Sequence, residues 1–351
     1  MLEKPNHASQ KRLLNHISSR IGKIRAKTVF TKLVALLLLT ACENGPEPVE
    51  TWQHATTGSY EASLSEDGNF AIVSTVNHQA GYWDLSSNKL LFQWRHSDNP
   101  DSGIIASDIS PDGSRAITAD KQTFVIWNTT SGKPYGFWQT PDDISAVALS
   151  DKGRYVLLGL RSGKAIHIDM ETGRRLEFTG HRIEPIASVD MSANGEWAFT
   201  GASDGRAILW NTQTGQPRFI FEHESRVTLV KLEADGRLAF SSGTRGNAFI
   251  WNLESGTERV RLALKPREYV ISAAAFSKDG TQIATGAPGR DIVLWSTQSG
   301  GKLNQWKAAT RDQWKPSGAI VWAIAFHEDG RHLITEASSG FGQKWLLQLT
   351  D

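Results

Sequence analysis

The chain has a single cysteine, Cys42, among its 351 residues. One thiol closes no internal disulfide and builds no cysteine-rich zinc site, so neither can staple the fold. Net charge is also scarce, at +1. The basic excess is confined to residues 1–32, which carry eight Lys/Arg and one Glu, and the remainder is mildly acidic. That distribution argues against nucleic-acid binding through the body of the protein. Long apolar runs are missing. Leu33–Leu39 is wholly apolar and Leu33–Cys42 is uncharged, whereas a helical bilayer span needs about 20 residues. No H-E-x-x-H string occurs, so the zinc-peptidase pattern is absent. With 39% hydrophobic and 21% charged residues, there is ordinary material for a globular core.

The short apolar run, with a basic flank before it, suits the apolar region of a secretory signal. It ends in Leu39-Thr40-Ala41-Cys42. This tetrapeptide resembles a bacterial lipobox, which implies lipidation of Cys42 and cleavage ahead of it. Acyl chains contribute about 0.8 kcal/mol per buried CH₂, and more than one chain gives stable anchoring. The resemblance also carries a sorting expectation. Glu43, and not Asp, follows the cysteine, which favours the outer membrane of a Gram-negative bacterium, facing the periplasm, over the inner membrane. The expected organisation is a signal peptide over 1–41, a lipidated Cys42 with a short tether to 48, and one repeat domain over 49–351. The tether reaches at most about 25 Å.

Beyond the leader one phrase recurs: "LSEDGNFAIVS", "ISPDGSRAITA", "LSDKGRYVLLG", "MSANGEWAFTG", "LEADGRLAFSS", "FSKDGTQIATG", "FHEDGRHLITE". The glycines are Gly68, Gly113, Gly153, Gly195, Gly236, Gly280 and Gly330, spaced by 45, 40, 42, 41, 44 and 50 residues. Each phrase reads as a hairpin, with apolar residues around a glycine turn. A third strand then ends near Trp83, Trp127, Trp210, Trp251, Trp295 or Trp345, with Ile168 in the third copy. A fourth strand follows a "TG" or "SG" turn. Four strands per 40–45 residues with Trp-Asp/Asn endings resemble the WD-repeat β-propeller family. The resemblance implies an all-β, seven-bladed propeller of four-stranded antiparallel blades. The seventh copy has only three strands, while "PVETWQHA" near the N-terminus aligns with "LLFQWRHS" of the first. The N-terminal strand is therefore expected to close the ring.

The resemblance also implies a structural hydrogen-bond network of His181, Thr200, Asp204 and Trp210. Blade five keeps His223, Ser241 and Trp251 but has Arg245 in the Asp place, so a complete network is not expected there. His54, His96, His181 and His223 recur at fourth-strand ends, which favours a structural role over metal binding. Gly201-Ala202-Ser203-Asp204-Gly205 matches G-x-S-x-G, but that motif needs a strand-to-helix elbow, and here it falls in a hairpin turn. Departures from the repeat carry more information. The longest interval contains Arg311, Trp314 and Lys315. In propeller geometry this segment shares a face with Arg161, Arg245 and Arg290. These six residues form the candidate surface for a protein partner or anionic ligand, since loops on rigid scaffolds carry function. The expected function is a non-enzymatic interaction scaffold, anchored by Cys42, with an unidentified protein partner, no nucleic acid, no cofactor and no metal. The alternative is an enzyme or ligand-binding protein that uses the central channel.

Overall fold

The computed structural model describes residues 46–75, 79–96, 103–264, 270–311 and 318–347. Cys42, Trp314 and Lys315 lie outside the described residues. The chain divides into two units, Met1–Pro46 and Glu47–Asp351, and the second holds all the described strands.

Blade four shows why the repeat folds as it does. Its strands are Ile186–Met191, Trp197–Ala202, Arg206–Asn211 and Pro217–Glu222, hydrogen-bonded in that order. The two inner strands are near-continuous runs of buried side chains, as expected for strands covered on both faces. The outer strand is largely exposed. The turn between the first two strands needs a residue in the left-handed region, and Gly195 supplies it with φ 71°. The other six repeats follow the same order, giving seven four-stranded antiparallel sheets.

The seventh sheet is built from both ends of the domain. Its order is Glu50–Gln53, Phe341–Leu346, His332–Ala337, Val321–Phe326. Glu50 pairs with Lys344 and Gln53 with Phe341. Trp52, on this closing strand, is 8% exposed and packs with Ala62, Val73 and Ile334 at the junction of blades seven and one. The expected closure of the ring is thus observed.

First strands line the centre. Each touches the first strands of the blades on both sides, blade seven touching blade one. An apolar cluster fills each blade-to-blade junction. No blade covers its own faces, so stability is shared around the ring.

Alternation of strand direction gives the ring two faces. The Asp-Gly turns share one, where Asp151 N–H donates to Ala193 O (2.8 Å) and Glu328 N–H to Asp67 O (2.9 Å) across blade boundaries. The turns between second and third strands, with the connections between blades, form the other. There Ser203 N–H donates to Pro185 O (2.9 Å) and Thr244 N–H to Arg226 O (3.1 Å). The chain enters the ring on the Asp-Gly face, where Val49 N–H donates to Lys344 O (2.7 Å). It leaves the closing strand on the connection face, where His54 N–H donates to Gly340 O (2.9 Å).

Candidate functional site

In blade four the four network residues come together. The Trp210 indole N–H donates to Thr200 Oγ1 (2.8 Å), and His181 Nε2 lies 2.7 Å from the same oxygen. His181 Nδ1 lies 3.2 and 3.4 Å from the two Asp204 carboxylate oxygens. Arg182 N–H and Arg206 N–H each donate to Asp204 at 3.0 Å. Burial lowers the His181 pKa although Asp204 works to raise it. The set ties the connection before blade four to its second and third strands. Ser203 sits in the turn between Trp197–Ala202 and Arg206–Asn211, in hairpin geometry rather than a nucleophile elbow.

Blade two contains a second such set, which the sequence reading did not assemble. His96 Nε2 lies 2.8 Å from Thr118 Oγ1, its Nδ1 lies 3.3 Å from Asp120 Oδ2, and Trp127 N–H donates to Thr118 Oγ1 (2.8 Å). The recurrence of His96 was the available signal. Asp120 stands seven residues before its Trp, whereas Asp204 stands six before Trp210, and that offset hid the match. Blade five has the inner half alone: His223 Nε2 lies 2.8 Å from Ser241 Oγ, which accepts the Trp251 N–H (2.7 Å). His54 departs from the pattern. Its Nδ1 lies 2.9 Å from Glu336 Oε1, within blade seven.

The candidate surface residues that the structure describes all lie on the connection face. Arg161, Arg245 and Arg311 are exposed, and Arg290 is half-buried with its Nε–H donating to Ala308 O (2.7 Å). Two further exposed arginines, Arg182 and Arg226, belong to the same face. They sit in connections whose lengths match the repeat, so no irregularity in the sequence marked them. None of these six has a carboxylate partner among the described residues. The exposed carboxylates described on this face are Glu184, Glu224 and, at the end of its strand and paired with Arg206, Glu222. On the Asp-Gly face, exposed carboxylates are contributed all around the ring, including Asp67, Asp112, Asp151, Glu196, Asp235, Asp279 and Asp329.

The channel wall brings together side chains that no motif connected. Lys231 Nζ donates to Asp190 Oδ1 (3.2 Å), and the other oxygen of Asp190 accepts Leu232 N–H (2.6 Å). Asp108 Oδ2 accepts Leu149 N–H (2.8 Å). The Glu61 carboxylate accepts from Ser107 Oγ at 2.9 and 3.0 Å. Burial raises Glu61 to about 7 against the Ser107 hydrogen bonds. Burial likewise raises Asp108 to about 7 against the attraction of Lys231. Burial works to lower Lys231, but Asp190, Asp108 and Glu66 leave it raised. Two of these carboxylates grip a backbone N–H of the next blade, so they serve ring assembly. Among the described residues no group of three His, Cys, Asp or Glu side chains is placed to hold a metal ion.

Comparison with known proteins follows the same lines. The family model "WD domain, G-beta repeat" matches residues 174–211, the last strand of blade three and most of blade four. Autophagy-related protein 16 of Arabidopsis thaliana is 26% identical over 158 residues, 44% of this chain and 30% of that protein. Serine-threonine kinase receptor-associated protein of Bos taurus is 25% identical over 171 residues, 48% of this chain and 47% of that protein. Its counterpart from Gallus gallus is 24% identical over 186 residues, 53% and 51%. The chain thus spans about half, or less, of the length of these curated relatives. The chain is a seven-bladed β-propeller in which residues 174–211 match the WD repeat.

Proposed function

We propose that this ring is a non-enzymatic docking scaffold, held at the periplasmic side of the outer membrane by a lipidated Cys42. The observation that carries the docking reading is the connection face, with its exposed arginines lacking carboxylate partners. A guanidinium that no internal acid engages is available to a partner, and Arg is a common interface anchor. The interaction reading draws support from the relatives. One is named for association with a serine-threonine kinase receptor, which suggests a class of behaviour and not a partner. The anchor rests on Leu39-Thr40-Ala41-Cys42 and its basic, apolar approach.

The chain enters the ring on the Asp-Gly face, opposite the connection face that carries the arginines. Two experiments test the proposal. Fractionation of cells carrying the full chain or Cys42→Ser should show membrane association lost with the thiol; equal membrane association of both would sink the anchor. Crosslinking in intact cells, followed by identification of captured proteins, should lose its captures in an Arg161→Glu/Arg311→Glu chain. Unchanged captures would sink the docking face.

The channel carboxylates favour a second reading, a ligand held in the channel. Glu61 and Asp108, each raised to about 7, are its natural contacts. A small cationic ligand protecting the wild-type ring against thermal unfolding, but not Glu61→Gln/Asp108→Asn, would establish it.

A further inference from the structure

Blades two, four and five share one arrangement, and blade five lacks a member of it. In blades two and four a carboxylate from the turn after the second strand faces histidine Nδ1: Asp120 at 3.3 Å from His96, Asp204 at 3.2 Å from His181. Blade five has Arg245 in that place, and its side chain is exposed. What remains is an imidazole bonded at its inner end alone. His223 Nε2 lies 2.8 Å from Ser241 Oγ, while Nδ1 is buried with no partner. The hydroxyl of Ser225, two residues on, is also buried with no partner. The two atoms lie over Gly243: a methyl group there would come within 2.6 Å of Ser225 Oγ and 3.5 Å of His223 Nδ1. Blade four carries Ala202 at that position.

Ser241 Oγ accepts the Trp251 N–H (2.7 Å), and in the His223 tautomer that takes the Ser241 proton at Nε2 the ring proton sits on Nδ1, as a donor. A buried N–H with no acceptor is uncommon in proteins, because the lost hydration is not recovered. The connection that carries His223 also carries the exposed Arg226, and its backbone is joined to the turn of the exposed Arg245 by Thr244 N–H donating to Arg226 O (3.1 Å). Neither has an ion-pair partner among the described residues. The one exposed acid on that connection is Glu224.

We propose that the place held by Asp204 in blade four is, in blade five, a receptor for a carboxylate side chain of a protein partner. His223 Nδ1–H and the Ser225 hydroxyl donate to the entering carboxylate, and Arg226 and Arg245 neutralise it. The incoming acid completes the His–Ser–Trp chain in trans, and hydrogen bonds to a charged acceptor are the stronger kind. This deepens the docking reading by naming the partner's chemistry: an acidic residue projecting from its surface. Burial, with Arg261 adding to it, holds His223 at about 4, so at neutral pH the imidazole offers a single donor.

The test uses the full chain and acetate as the probe. NMR of the His223 side chain is followed as sodium acetate is added at pH 7, with sodium chloride at equal ionic strength as reference. Acetate should shift the resonance saturably and chloride should not. Arg245→Asp supplies the carboxylate in cis; it should abolish the acetate response and raise the His223 titration midpoint by about 1–3 pH units. Equal shifts with both salts, or an Arg245→Asp chain that behaves as wild type, would overturn the inference. Cellular capture reports separately: a ring that binds acetate yet captures nothing leaves this inference standing and removes the docking reading.

Discussion

His54 Nδ1 lies 2.9 Å from Glu336 Oε1, and the two side chains are 0% and 1% exposed. The contact joins the residue that follows the closing strand to the second strand of the last blade, 282 positions away. His54 Nε2 and Glu336 Oε2 remain without partners. Removing one member of a buried pair strands the other, at a cost of about 3–5 kcal/mol. His54→Ala should therefore lower unfolding stability by that order in urea titration. His54→Leu with Glu336→Leu should recover most of the loss, because no buried charge is stranded. Equal losses in the single and double variants would contradict this.

The closing strand should matter to every blade. Deleting residues 48–56 removes Trp52, 8% exposed, and four ladder positions. A lost core tryptophan alone costs about 3–5 kcal/mol. Scanning calorimetry should show one lowered transition for the whole ring. An unchanged midpoint would mean that six blades and a three-stranded seventh suffice.

Acid and base should act on opposite groups. Burial takes His167 and His223 from 6.5 to about 4, so the unfolded chain binds protons first. Their contribution is present above about 6.5 and is lost as pH falls towards 4. The difference corresponds to roughly 3 kcal/mol each at full burial. Glu61 and Asp108 run the other way, from ordinary values of 4.5 and 3.8 to about 7. Their contribution is present below about 4 and is lost as pH rises through 7. His167→Phe, in a slot already flanked by Tyr155 and Phe178, should flatten the acid side of the stability profile. Glu61→Gln should flatten the fall in stability between about pH 4 and 7. Parallel profiles for wild type and both variants would refute the assignment.

Two glycines of blade seven separate backbone strain from crowding. Gly330 has φ 66° with nothing within 4 Å of an added Cβ, so Gly330→Ala should cost about 1–2 kcal/mol. Gly340 has φ 82°, and its Cβ would meet Ala55 O at 2.2 Å. Gly340→Ala should cost clearly more, since it also pushes out the residue after His54. Equal unfolding midpoints would show that the closing segment yields freely.

Most of the fold was legible because a repeat repeats its physics. Gly195 and its counterparts each sit in the same turn, so their spacing counted the blades. Trp52 and His54 matched Trp94 and His96, which located the closing strand. The His181 network was legible through one family pattern, while Asp120 escaped it by a single residue of turn length. Contacts across blades left no such trace. Glu61 and Ser107 meet because neighbouring first strands converge, and His54 finds Glu336 because the ring closes there. Arg182 and Arg226 stand in connections of regular length, and only the shared face shows them to be neighbours of Arg161 and Arg245.

The entry of the chain on the Asp-Gly face has a mechanical consequence. A pull at Glu47 along the strand axis runs down Glu50–Gln53 and loads its pairing with Phe341–Lys344 in shear, all bonds at once. Peeling would break them singly and at lower force. A leash attached ahead of Glu47 thus draws on the ring in the direction its fastening resists most.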